Sequence, residues 1–254
     1  GTITINSGTI ISKGETVDNY GTMEIKGGTV KAEGELSGYL RAIRTREGSE
    51  TIISGGTVLG KNTLTTSEGK ARTINIVGKV TITGGNISSN AYSAATLSVS
   101  SGGLSSLLTI SDSTSTPIIT ATSPIEGGSA TVISLWGEET NYANIPLKIS
   151  GGELISTSIT KANATGISVG YNSGLVTVTG GTITADGNAI QMRAGCGKLT
   201  FGDESTTLSK TAPVASGGTY GIYAPDGFIF NNGIITSKVK KNAEDEHKLY
   251  EMYY

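Results

Sequence analysis

The stretch Val176-Thr177-Val178-Thr179-Gly180-Gly181-Thr182-Ile183 decides the fold of this chain. Its first half alternates apolar and polar residues, which is typical of a short strand with one buried face, and the Gly-Gly pair predicts a turn into a second strand. The pattern recurs nine times, with its first position at Ile3, Met23, Thr51, Val80, Leu108, Leu147, Val176, Leu199 and Phe228. Subtraction gives intervals of 20, 28, 29, 28, 39, 29, 23 and 29 residues. Such a period indicates stacked structural repeats.

The first and third positions of each repeat point to the same side of a strand, so they predict an inward apolar stack. The pairs are Ile3/Ile5, Met23/Ile25, Thr51/Ile53, Val80/Ile82, Leu108/Ile110, Leu147/Ile149, Val176/Val178, Leu199/Phe201 and Phe228/Phe230. Thr51 is the one departure from apolar character.

A turn column lies two residues after the last apolar position of each repeat. It holds Ser7, Gly27, Gly55, Gly84, Asp112, Gly151, Gly180, Asp203 and Asn232. Gly, Asp and Asn enter a left-handed backbone conformation at low cost, and Ser is a common turn residue. We therefore expect left-handed residues in this column, and we expect Asp112 and Asp203 to shape turns without binding a ligand.

Each repeat has room for several short strands, and none shows helical periodicity. Further strands are predicted at residues 166–169, 189–192 and 221–224, each shortly before a main motif. The predicted fold is all-β: a single-stranded parallel β-helix of about nine coils and about 40 Å in length. We expect one β-helix over residues 1–237 with excursions near 37–50 and 111–146, and a polar cap or the start of a next segment at 238–254.

Composition narrows the function classes. The 254 residues include 37 glycines and carry a net charge of −2, which gives no electrostatic reason to expect nucleic acid as a partner. No stretch is long and apolar enough to predict membrane insertion. The lone Cys196 excludes an internal disulfide framework. No cofactor or metal is predicted. Because the chain opens inside a repeat without Met, we expect it to be part of a longer protein.

The interval from Leu108 to Leu147 is the longest, and it contains the first candidate site. Long excursions from a repeat structure often carry the binding function. This one holds the only tryptophan of the chain, with two carboxylates and a tyrosine nearby: Trp136, Glu138, Glu139 and Tyr142. A Trp can stack on a sugar ring while acidic groups bond its hydroxyls. The alternative is that Trp136 covers a small core of the excursion itself.

The second candidate site is the segment 39–46, which departs from the repeat and contains Arg41, Arg44 and Arg46. Three arginines in one segment can form a patch for acidic sugars or another anion. The alternative is a solvated strand with its charges on the outer face.

An enzyme is the competing hypothesis, because many parallel β-helices are polysaccharide lyases or hydrolases. A lyase needs a base and clustered acids that bind a cation, and a hydrolase needs two carboxylates about 5–10 Å apart. Stacked acids would recur in one column, but the outward column of the main strand reads Thr4, Glu24, Ile52, Thr81, Thr109, Lys148, Thr177, Thr200 and Ile229. Four further acids at turns stay open: Asp186, Asp203, Glu204 and Asp226. No catalytic residue is predicted.

Two runs, residues 175–183 and Thr219-Tyr220-Gly221-Ile222-Tyr223, resemble the extracellular β-helical repeats of bacterial surface proteins, particularly those of Gram-positive gut anaerobes. The resemblance implies a right-handed, pectate-lyase-like fold in an extracellular adhesin or carbohydrate-binding module. The acid-rich calcium-binding repeats of a related group are missing from this chain. We expect a non-enzymatic cell-surface module whose partner is a polysaccharide or a host-surface glycan or protein. A polysaccharide lyase or hydrolase and a purely structural stalk are the alternatives.

Overall fold

The computed structural model describes residues 1–100, 107–113, 115–136, 146–170, 174–204, 211–238 and 252–253. In this part of the chain the protein is all-β, apart from one short 3-10 turn at Lys161–Asn163. The strands of the first half are β1 (Thr2–Ile5), β2 (Thr9–Ser12), β3 (Glu15–Asn19), β4 (Thr22–Ile25), β5 (Thr29–Gly34), β6 (Gly38–Thr45), β7 (Glu50–Ile53), β8 (Thr57–Asn62), β9 (Gly69–Ile76), β10 (Lys79–Ile82), β11 (Asn86–Asn90) and β12 (Ser93–Ser100). The strands of the second half are β13 (Leu107–Ile110), β14 (Ile118–Ser123), β15 (Ser129–Trp136), β16 (Pro146–Ser158), β17 (Ala164–Val169), β18 (Leu175–Ala185), β19 (Asn188–Met192), β20 (Lys198–Phe201), β21 (Val214–Gly217), β22 (Tyr220–Tyr223), β23 (Ile229–Phe230), β24 (Ile234–Ser237) and β25 (Met252–Tyr253).

The strands form three ladders, in which each strand pairs in parallel with a strand of the next repeat. The first ladder is β1, β4, β7, β10, β13, the start of β16, the start of β18, β20 and β23. The second ladder is β2, β5, β8, β11, β14, the end of β16, the end of β18, β21 and β24. The third ladder is β3, β6, β9, β12, β15, β17, β19 and β22.

The register of the first ladder follows the repeat read from the sequence. Each predicted starting position pairs with its counterpart in the next repeat from Ile3 as far as Leu199, and the last repeat pairs through Phe201 and Phe230. The three additional predicted strands are confirmed as β17, β19 and β22. Large parallel sheets are therefore the architecture that the repeat predicts.

The inward columns of the ladders form the hydrophobic core. Met23, Ile25, Val80 and Phe201 are fully buried, as inward alternation requires. Thr51, the polar departure in this stack, is also fully buried.

A buried asparagine explains why the stack tolerates Thr51. Asn19 Nδ2 donates to Thr51 Oγ1 at 3.0 Å and to the Glu50 carbonyl at 3.0 Å, while Asn19 Oδ1 accepts from the Gly21 backbone N–H at 2.9 Å. Because the buried polar atoms have partners, the threonine does not carry the cost of an unsatisfied group.

The predicted turn column is correct in its position but wrong in its conformation. In most repeats the left-handed residue is one position later, as in Gly181 with φ +85°, whereas beside Asp203 it is one position earlier, at Gly202 with φ +92°. Gly180 is required for another reason: a Cβ there would lie 2.5 Å from the carbonyl oxygen of Ser150 in the preceding repeat. Where the column holds an acid, the side chain stabilises the turn, since Asp112 Oδ1 accepts from the Gly152 N–H at 2.9 Å.

Parts of the two predicted excursions are regular ladder strands. Residues 38–45 form β6 between β3 and β9, and residues 118–123 and 129–136 form β14 and β15. The sequence missed β6 and β15 because they belong to the third ladder, which does not repeat the main motif, whereas β14 belongs to the second ladder. Within residues 238–254, the described residues Met252 and Tyr253 pair antiparallel with β24. In the described ranges, no helix has the length and apolar character needed to span a membrane.

Candidate functional site

Among the described residues, aromatic and cationic side chains meet at three places along the third ladder: at Tyr39, at Trp136, and at Tyr20, whose ring lies near Arg46. Strands of a parallel ladder lie about 4.8 Å apart, so outward residues at equivalent positions of successive strands are neighbours. This geometry joins residues that are some 30 positions apart in the sequence.

The first place is the tyrosine cluster, which we define as Tyr39, Arg41, Lys70 and Arg72. The Tyr39 residue is 37% exposed, and three cations surround its ring. Arg72 Cζ lies 3.9 Å from the ring centroid, Lys70 Nζ 5.3 Å and Arg41 Cζ 5.5 Å. Arg72 Nη2 also donates a hydrogen bond to Tyr39 Oη at 3.2 Å. All three distances fall within cation–π range, so the ring fixes the positions of the charges.

The electrostatics of Arg41 reflect this crowding. Burial lowers the pKa of Arg41, Glu15 opposes that effect, and the positive charges of Arg44 and Arg72 lower the pKa further. Its Nε atom is buried and has no hydrogen-bond partner among the described residues. The guanidinium is thus held by packing and not by a protein acceptor.

The other two predicted arginines have carboxylate partners. Arg44 Nη1 lies 4.0 Å from Glu15 Oε1. Arg46 forms a bidentate pair with Asp18, with Nε–Oδ1 at 2.7 Å and Nη2–Oδ2 at 2.6 Å, and its Cζ lies 5.0 Å from the centroid of the Tyr20 ring. The structure therefore separates the three arginines, and only Arg41 belongs to the tyrosine cluster.

Sequence reasoning missed Lys70 and Arg72, although a signal for them exists. Tyr39 pairs with Lys70, and both this pair and Arg41/Arg72 are 31 positions apart, by the subtractions 70−39 and 72−41. The segments 38–43 and 69–74 share the pattern Gly-X-apolar-Arg-X-Ile. Aligning these third-ladder strands on that pattern places the four residues together.

The second place is the indole platform, which we define as Trp136, Gly170 and Arg193. These residues follow Leu135, Val169 and Met192, which pair with one another at the ends of β15, β17 and β19. A Cβ built on Gly170 would lie 2.7 Å from Trp136 Cε3, so the indole packs directly on the glycine. Arg193 Cζ lies 4.9 Å from the indole ring. The tryptophan is nevertheless 41% exposed.

Of the four residues predicted as a site between Leu108 and Leu147, the structure describes only Trp136. Glu138, Glu139 and Tyr142 lie outside the described residues. The sequence indicated Trp136 because it is the only tryptophan, whereas no pattern pointed to Gly170 or Arg193.

Three of the acids that the sequence left open have hydrogen bonds in turns. Asp186 Oδ2 accepts from the Ser158 N–H at 3.3 Å, Asp226 Oδ2 accepts from the Gly195 N–H at 2.6 Å, and Asp203 Oδ1 accepts from Asn232 Nδ2 at 2.5 Å. Across the described ranges, no group of three or more His, Cys, Asp or Glu residues is arranged to hold a metal ion.

Cys196 lines an open groove of about 830 Å³ together with Leu175, Lys198, Phe228 and Ile229. Its Sγ donates to the carbonyls of Gly170 at 2.8 Å and Val169 at 3.2 Å. Burial raises the pKa of this thiol. A protonated, hydrogen-bonded thiol is a poor nucleophile, which agrees with a structural role.

No family model, no curated protein and no solved structure matches this chain. The geometry of the two clusters is therefore the basis for a function.

Proposed function

We propose that this chain is a non-enzymatic, carbohydrate-binding β-helix module of a bacterial surface protein. From β1 to β15, consecutive strands belong to the first, second and third ladder in strict rotation. This order supports a parallel β-helix of nine coils. The right-handed crossover of parallel strands and the resemblance of its repeats favour a right-handed, pectate-lyase-like form. We place the module outside the cell, as part of a longer adhesin-like protein.

The observation that carries the binding function is the exposed indole of Trp136 on Gly170. An aromatic face stacks on the C–H face of a sugar ring, and a neighbouring guanidinium donates hydrogen bonds to hydroxyls. Arg193 supports this proposal, because its Cζ lies 4.9 Å from the centroid of the indole ring. Because the platform lies at the ends of paired strands, little conformational entropy is lost on binding.

Several of the described acids are already engaged in hydrogen bonds or ion pairs, which favours binding over hydrolysis. A hydrolase needs two free carboxylates flanking one bond. The described acids Asp112, Asp186 and Asp226 accept backbone hydrogen bonds in separate turns, whereas Glu33 forms ion pairs with Lys31 and Lys61.

A polysaccharide or a host-surface glycan is the partner that fits an exposed platform on a rigid sheet. A single stacking site gives modest affinity, and several copies of the module on one cell would raise the avidity without new contacts.

The test is a glycan array containing plant polysaccharides, uronates and mucin glycans, probed with and without calcium. Trp136→Ala is compared with Ile118→Ala, because Ile118 is 38% exposed but belongs to the second ladder. We expect Trp136→Ala alone to abolish glycan binding, with product chain length unchanged. Shortened products would establish a lyase or hydrolase in place of a binding module. No binding to any glycan on the array would favour a structural stalk.

A further inference from the structure

We infer that the tyrosine cluster is an anion site that binds the carboxylate or sulfate groups of an acidic polysaccharide. The inference rests on the proposed function for its glycan ligand, but it concerns residues separate from Trp136. It gives the module a preference for acidic over neutral chains.

The first argument is the charge balance of the cluster. Five other described cations each have a carboxylate oxygen within 4.0 Å: Lys26, Lys31, Arg44, Arg46 and Lys61. By contrast, the described residues supply no carboxylate ion pair to Arg41, Lys70 or Arg72. Three positive charges around one ring repel each other, and Glu15, which pairs with Arg41 in the sheet without forming an ion pair with it, offsets only part of this repulsion. A bound anion would remove the rest.

The second argument is the alignment of the two guanidinium groups. Because Leu40 pairs with Ala71 and Ile43 with Ile74 at a constant offset, Arg41 stands beside Arg72 on the neighbouring strand. Their backbones are therefore about 4.8 Å apart. Arginine presents planar donor pairs that match the oxygens of a carboxylate or a sulfate, and two such groups on adjacent strands can bind one oxyanion between them.

The third argument is preorganisation. The hydrogen bond from Arg72 Nη2 to Tyr39 Oη at 3.2 Å and the ring contact at 3.9 Å fix one guanidinium. The Arg41 side chain makes no hydrogen bond or ion pair with the described residues, so its outer N–H groups stay available for a ligand. Charges that are already positioned lose little entropy when the anion binds.

The fourth argument concerns the class of anion. The exposed ring of Tyr39 lies among the cations, and it provides an apolar surface on which a sugar can pack while its acidic group meets the arginines. A free inorganic anion would use the charges but not the ring. This combination favours an acidic sugar unit within a polymer.

The experiment is titration calorimetry on the whole chain with four polymers: oligogalacturonate for carboxylates, dextran sulfate for sulfates, unmodified dextran as the neutral chain and a single-stranded oligonucleotide as the nucleic-acid chain. Arg41→Gln and Arg72→Gln are each compared with Lys61→Gln, which removes the same charge from the second ladder. Circular dichroism verifies that every variant is folded.

We expect both arginine variants to weaken binding of one acidic polymer by about tenfold or more, while Lys61→Gln stays within about twofold of wild type. The affinity of the wild-type protein for the acidic polymer should decrease when NaCl is raised from about 50 mM to about 150 mM. The polymer that binds identifies carboxylate or sulfate as the preferred group.

Three outcomes would overturn the inference: equal affinity for dextran and the acidic polymers, unchanged binding in both arginine variants, or tighter binding of a single-stranded oligonucleotide. The proposed function is tested separately by measuring glycan binding of Trp136→Ala. If only the tryptophan variant loses glycan binding, the anion site is wrong and the module stands. If only the arginine variants do, the anion site stands and the indole platform is wrong.

Discussion

Gly170 and Trp136 form a close pair, in which the glycine that follows β17 supports the indole at the end of the neighbouring strand β15. The distance from a Cβ built on Gly170 to Trp136 Cε3 would be only 2.7 Å. The glycine therefore determines where the indole lies, although 34 positions separate them in the sequence, by the subtraction 170−136.

Gly170→Ala should displace the indole and weaken glycan binding without touching Trp136 itself. Overpacking of this kind costs about 1–3 kcal/mol of stability. The measurements are the affinity for the glycan identified on the array and the free energy of unfolding. Gly14→Ala is the matched control, since a Cβ at Gly14 meets nothing within 4 Å. Unchanged binding in Gly170→Ala would show that the position of the indole does not matter.

Gly180→Ala should destabilise the protein, because its Cβ would meet the Ser150 carbonyl oxygen at 2.5 Å. This atom belongs to the backbone and cannot move aside like a flexible side chain, so we expect a loss of about 1–3 kcal/mol in the free energy of unfolding. Urea denaturation measures it, again with Gly14→Ala as control. A loss no larger than that of the control would contradict the close packing of successive turns.

Asn19→Ala should remove all three hydrogen bonds of a buried side chain at once. The side chain is 3% exposed, and it bonds the Glu50 carbonyl, the Thr51 hydroxyl and the Gly21 N–H. Leaving these groups unsatisfied costs about 2 kcal/mol or more, which chemical denaturation would detect. Asn6→Ala, at an exposed position, should change little. Combining Asn19→Ala with Thr51→Val should recover part of the loss, because the second change removes one of the orphaned groups.

Lowering the pH should remove the stabilising interaction between Asp18 and Arg46. Its hydrogen bond with Arg46 holds the pKa of the Asp18 carboxyl below its usual value. A carboxyl with a lower pKa in the folded state contributes stability above its unfolded pKa of about 3.9, and loses it as the pH falls through the folded value. Thermal unfolding from pH 7 to pH 2 should therefore show a smaller acid-side decrease in Asp18→Asn than in wild type.

Added salt should reduce this difference between Asp18→Asn and wild type, because the pair is partly exposed. Glu47→Gln, an exposed carboxyl in the same region, serves as the control. Identical pH profiles for wild type and Asp18→Asn would rule out the contribution of this pair.

The sequence predicted the first ladder well because its physical signal is strong and local. Alternating apolar residues and a Gly-Gly turn recur together, so residues such as Val80 and Val176 align by pattern alone. The left-handed turn residue was misplaced by one, because Gly180 and Gly181 are the same residue type with different functions: close packing at the first and a positive φ at the second.

Only part of each candidate site could be predicted from the sequence, because the signal for the rest is not local. Trp136 and Arg41 are conspicuous in the sequence, but their partners come from neighbouring strands. Arg193 is 57 positions from Trp136, by the subtraction 193−136, and its distance to the indole depends on the register of β15, β17 and β19. Local sequence patterns contain no information on contacts that only strand pairing creates.

The tyrosine cluster and the indole platform lie on the same ladder. Their separation along that ladder is therefore a whole number of strand spacings. Arg72 lies on β9 and Trp136 ends β15, with β12 between them. Deleting or duplicating one complete repeat between them would shift one cluster along the ladder by about 4.8 Å while leaving the local packing of each intact. Repeat number would thus set the length of glycan chain that can reach both clusters, and it could change by recombination without any substitution at a binding residue.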